Sequence, residues 1–170
     1  QLALDLLGVM DHQGIGRAVI GGASMGCATS LHAVLLAPER VEALVLVIPP
    51  TAWETRAAQA GTYLAGADLA EAAGPAALAA VVREAPAPAV FAELAELVRD
   101  ASAAAIEAMD PALLPHVFRG AAASDLPSPD ALAEIAVPTL VLAWAGDPGH
   151  PESTAHVLAD TIPGATLSVA

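Results

Sequence analysis

The chain has 170 residues, long enough for one substantial core, and 56% of them are hydrophobic. Its formal net charge is -13, with six arginines and no lysine, so it repels phosphate backbones and anionic membrane surfaces; nucleic acid and membrane are not expected partners. A single cysteine, Cys27, rules out an internal disulfide and reads as a small buried apolar residue.

The chain opens on Gln1 inside a helix-like run. Residues 17–22 read as a buried strand, and residues 25–37 as a helix stopped by Pro38. Between them lies Gly22-Ala23-Ser24-Met25-Gly26, a Gly-X-Ser-X-Gly pattern at a strand-to-helix bend, where a nucleophile elbow requires it. A serine turned out at such a bend has a strained backbone, and side chains two residues either side are expected to collide, so glycine is expected at both places. The helix directs its free N–H groups at the serine, and the Met25 N–H is the candidate oxyanion donor. Residues 41–48 form a second apolar strand. Strand, helix and strand with such short connections make a βαβ unit, whose strands are parallel and whose active site lies at their carboxyl ends.

Residues 55–129 form an alanine-rich middle, broken by Gly74-Pro75, Pro86-Ala87-Pro88, Asp110-Pro111 and Asp125-Leu126-Pro127, and read as several short helices. The clearest covers residues 88–105, with Phe91, Leu94, Leu97 and Val98 on the face expected to pack. Ser128 is a helix cap with Pro129 in the first turn. Residues 139–144 are a further strand, stopped by Ala145-Gly146-Asp147-Pro148-Gly149-His150-Pro151, which places the Asp147 carboxylate at the same sheet edge as Ser24. Pro151 opens a helix with a stripe of Ala155, Leu158, Ala159 and Ile162, leaving His156 on the solvated side.

The elbow, together with Pro38-Glu39-Arg40-Val41 and Val137-Pro138-Thr139-Leu140-Val141-Leu142, resembles the α/β-hydrolase family over most of the chain. The resemblance implies an α/β fold with a mostly parallel sheet and flanking helices, residues 1–54 and 130–170 forming the partial core and residues 55–129 an inserted helical cap. It also implies a serine hydrolase with Ser24 as nucleophile and Asp147 as the acid of a Ser-Asp-His triad. The family's histidine comes from the loop after the last strand, and here that strand, within residues 165–170, ends the sequence. The triad histidine and the other oxyanion donor are therefore expected outside residues 1–170, and the chain by itself is expected to be nearly inactive.

Of the histidines present, His150 is the only contender. Three residues span at most about 10 Å, and both side chains leave one loop, an unfavourable relay geometry. A metal site from Asp147, His150 and His156 lacks a recognised ligand spacing, so no metal and no cofactor are expected. The expected substrate is a small, mainly apolar ester, lactone or related carbonyl compound. The alternatives are a non-catalytic ligand-binding protein of the same fold and a cofactor-free perhydrolase or haloperoxidase-like enzyme. No run reaches the length of a membrane span, no signal peptide is visible, and cytoplasmic is the default location; the oligomeric state is left open.

Overall fold

The computed structural model describes all 170 residues, the side chain of Val90 excepted. The chain forms two compact units, Gln1–Trp53 with Asp125–Ala170, and Glu54–Ser124.

The first unit is built on four parallel strands in the order β1-β2-β3-β4: β1 Ala18–Ala23, β2 Val41–Val47, β3 Thr139–Ala143 and β4 Thr166–Val169. The register places Ala23 opposite Val47 and Val47 opposite Leu142, so the carboxyl ends of β1, β2 and β3 come together. Parallel strands need crossovers, and here these include helix α2, Met25–Leu36, between β1 and β2, and α7, Glu152–Thr161, between β3 and β4. Helix α1, Leu2–His12, precedes β1.

The core of this unit is aliphatic. Leu31, Leu44, Leu46, Val141, Leu158 and Ile162 are buried, drawn from α2, β2, β3, α7 and the turn after it. β2 and β3 are near-continuous apolar runs, with Val41, Leu44, Leu46, Val141 and Ala143 buried and Leu140 37% exposed. β1 is apolar but lies at the edge of this sheet and is largely open. Only Ile20 of that strand is buried and Val19 is 56% exposed, because β1 is the sheet edge and pairs with β2 alone.

β1 and β2 pack so closely that a Cβ on Gly21 would overlap the Val45 carbonyl oxygen, which excludes any side chain there. Ahead of β3, Ser128 caps α6, Pro129–Leu132, by accepting the Ala131 N–H at 3.3 Å.

The second unit is helical. α3, Trp53–Glu84, bends at Gly74, whose φ of 80° breaks the helix just before Pro75. α4 spans Ala95–Glu107 and α5 spans Leu114–Ala123. The expected continuous helix over residues 88–105 is corrected: a 3-10 stretch, Ala89–Leu94, leaves helical geometry at Phe91, and α4 starts only after Leu94. Its expected packing face is open, with Leu94 and Leu97 53% and 65% exposed. A small cluster of Ala70, Leu78 and Leu114 forms this unit's core, with Phe118 packed against it. Arg56 is buried, and its guanidinium donates to the Ser124 and Ala121 carbonyls while lying 5.1 Å from the Tyr63 ring centre.

α3 also corrects the expectation about membrane-length runs. It is long and apolar enough by length and composition, with a mean hydropathy of 1.3 over an 18-residue window. Alanine carries much of that value, and the Gly74 bend divides the helix.

Candidate active site

The elbow occupies the step from β1 to α2. Ser24 has φ 52° and ψ -113°, a combination that an L side chain adopts only under strain, and its N–H donates to the Val47 carbonyl at 3.0 Å. The expected collision between flanking side chains is real on one side. A Cβ on Gly22 would sit 2.8 Å from the Gly26 Cα, whereas a Cβ on Gly26 would meet nothing within 4 Å. Gly22 is therefore the sterically required glycine, because it faces the α2 backbone; Gly26 lacks the clash expected of it.

Cys27 lies directly beneath the bend. Its Sγ is 3.2 Å from both the Gly22 and Val47 carbonyl oxygens, so one S–H is shared between the ends of β1 and β2. Burial pushes its thiol up to about 12, which keeps it protonated at neutral pH. Met25 is the first residue of α2, where a backbone N–H has no carbonyl four residues back within the helix to bond. Its side chain is 55% exposed.

Asp147 stands on the loop after β3. The chain turns at Gly146, with φ 76°, and the His150 N–H then donates to the Asp147 carbonyl at 3.1 Å. This i to i+3 turn brings the two side chains onto the same side of the loop. A second link, from the Thr51 N–H to the Gly149 carbonyl at 3.1 Å, ties the loop to the segment following β2. His150 consequently reaches both partners: its Nδ1 is 2.7 Å from Asp147 Oδ2 and its Nε2 is 2.8 Å from Ser24 Oγ.

The sequence-based objection to His150 is thus corrected. The loop is not extended; a closed turn lets residues three apart aim at a common point, and the expectation that no histidine of this chain reaches Ser24 fails on that geometry. The signal that could have found it is Asp-Pro-Gly-His itself, whose proline and glycine are turn formers.

The Asp147 carboxylate is nearly enclosed, its side chain 8% exposed. Burial alone would raise its pKa, but three donors outweigh it and hold the carboxyl below its ordinary range. These are His150, the Trp144 indole N–H at 3.1 Å on Oδ2, and the Gly149 N–H at 2.9 Å on Oδ1. An ionised carboxylate only accepts, so the imidazole must carry its proton on Nδ1. That leaves the Nε2 lone pair to accept the Ser24 hydroxyl proton.

The remaining histidines stand elsewhere. His32 Nε2 is 3.3 Å from the Asp125 carbonyl oxygen, His156 is exposed on α7, His12 ends α1, and His116 lies on α5. Among the described residues, no group of three or more His, Cys, Asp and Glu side chains could hold a metal ion.

A family model described as the alpha/beta hydrolase fold matches residues 2–170. The chain belongs to the α/β-hydrolase fold family. Among solved structures, the chain is similar to a hydrolase from Pseudomonas aeruginosa PA01 at 28% identity and a TM-score of 0.76, with 99% of this chain and 62% of that one covered. An enol-lactonase from Burkholderia xenovorans LB400 gives 24% identity and a TM-score of 0.81, covering 99% and 62%. A thermophilic esterase from Thermogutta terrifontis gives 24% and 0.78, covering 99% and 61%. The last two are likenesses of fold. The α/β-hydrolase chain thus spans about three fifths of the length of these structures. No curated protein matches it.

Proposed function

We propose that this α/β hydrolase is a serine hydrolase of small, mainly apolar esters or lactones, and that its catalytic base is His150 of this chain. The observation that carries the reading is the unbroken line from Ser24 Oγ through the His150 imidazole to Asp147 Oδ2, with links of 2.8 and 2.7 Å. A strained serine hydroxyl at a helix N-terminus, facing an imidazole whose tautomer is set by a carboxylate, is suited to acyl transfer.

Ser24 Oγ attacks the substrate carbonyl carbon as its proton passes to His150 Nε2. The carbonyl oxygen becomes an oxyanion, and the Met25 N–H at the start of α2 donates to it. His150 then gives the proton to the leaving oxygen as the carbon–oxygen bond breaks, producing an acyl-Ser24 ester and an alcohol. Water attacks that ester with His150 again taking the proton, and Ser24 departs with it. Asp147 stays ionised throughout and stabilises the imidazolium. In a lactone the leaving alcohol remains attached to the acyl group, so the product is a hydroxy acid. The substrate class is supported by the similarity to hydrolases.

Fluorophosphonate labelling tests the reading. Covalent modification of Ser24, abolished in Ser24→Ala and strongly slowed in His150→Ala, is the expected result. No labelling of the folded chain would favour a ligand-binding protein of the same fold.

A further inference from the structure

The indole of Trp144 stands outside the proton path, yet it reaches the same carboxylate oxygen as the imidazole. Asp147 Oδ2 accepts from His150 Nδ1 at 2.7 Å and from Trp144 Nε1 at 3.1 Å, while Oδ1 accepts from the Gly149 N–H at 2.9 Å. A carboxylate rotates about its Cβ–Cγ bond with a broad, soft profile, so one bond to His150 would not fix its plane. Three donors do, one on Oδ1 and two on Oδ2. Trp144 follows directly on β3, Thr139–Ala143, and β3 is hydrogen-bonded to strands on both sides. The indole therefore carries the rigidity of the sheet to a carboxylate that sits on a loop.

We propose that Trp144 is a positioning residue for the relay, its indole N–H fixing the Asp147 carboxylate so that Oδ2 faces His150 Nδ1. This rests on the reading of Ser24, His150 and Asp147 as a hydrolytic triad. The indole acts through Asp147. It has a second effect of the same sign: a donor on Oδ2 favours the charged carboxylate, which must stay ionised while His150 holds the proton. A phenylalanine at position 144 keeps most of the ring and deletes the donor, so it separates this role from packing.

The test uses Trp144→Phe in the full chain. Two readouts distinguish positioning from packing: the pH titration of the Asp147 side-chain carboxyl followed by its 13C resonance, and the split between kcat and KM on a p-nitrophenyl ester. The expected result is a titration midpoint moved to higher pH, with kcat lowered about tenfold and KM unchanged. An unmoved midpoint with unchanged kcat overturns the proposal. If Ser24 fails to react with a fluorophosphonate while the Asp147 midpoint still moves, the hydrolase reading falls and the indole–carboxylate role stands. If Ser24 reacts and Trp144→Phe behaves as the unaltered chain, the Trp144 proposal falls alone. Should Trp144→Phe not fold, the indole N–H proton resonance of Trp144 in Asp147→Ala decides: an upfield move supports the bond, and an unchanged resonance refutes it.

Discussion

Ser24 holds its place at the strand-to-helix bend with a strained backbone, and replacing it in two ways isolates that strain. Both Ser24→Ala and Ser24→Gly delete the hydroxyl, and with it the 2.8 Å link to His150, so that loss cancels between them. What remains is the backbone at φ 52° and ψ -113°. For a residue with a Cβ, such a conformation costs about 1–3 kcal/mol, and glycine is free of it. Glycine loses more freedom on folding, about 0.5–1 kcal/mol relative to alanine. The difference leaves Ser24→Gly more stable than Ser24→Ala by ~1 kcal/mol, equivalent to about 2–4 °C in melting temperature for a chain of this size. Urea unfolding followed by tryptophan fluorescence is the suitable assay, because Trp53 and Trp144 both belong to the unit that contains the elbow. Equal stability of the two variants, or a more stable alanine, would refute the strain argument.

Three further outcomes follow from the same geometry. Gly22→Ala puts a Cβ 2.8 Å from the Gly26 Cα, a clash with backbone that no rotamer relieves; a loss of at least about 1–3 kcal/mol and of Ser24 labelling is expected, while Gly26→Ala costs less. Cys27, buried and raised to about 12, should resist iodoacetamide at neutral pH in the folded chain and react on unfolding; its raised value also means that its contribution to stability, full below the ordinary thiol range, is lost as pH rises toward about 12. Asp147 has the opposite sign. Its folded pKa is lowered, so its contribution is present above the ordinary carboxylate range and lost as pH falls through the folded value; acid unfolding should be less steep in Asp147→Asn.

Much of the fold was legible in the chain because its signals are local. The apolar runs of β2 and β3, the proline ending α2 and the Ser128 cap depend on a few adjacent residues, and the structure has them at those places. An apolar run such as β1 has the same appearance in the middle of a sheet and at its edge, so its degree of burial follows from the strand order and not from the run itself. The helix expected over residues 88–105 follows the 3.6-residue period, but Phe91 leaves helical geometry and the period is broken there. In the site, Ser24 and Asp147 could be placed because each ends a strand of one parallel sheet. His150 was discounted because chain reach was measured along an extended loop, whereas Asp147 to His150 closes into a turn. The Trp144 bond joins residues three apart across the same loop and carries no periodic signature.

The most direct test of the account is the steady-state hydrolysis of p-nitrophenyl acetate by the chain and by His150→Ala, with His156→Ala as the control. If His150 is the base, removing it lowers kcat/KM by about 10²–10⁴-fold, while the exposed His156 leaves the rate unchanged. Equal rates for His150→Ala and the unaltered chain would contradict it.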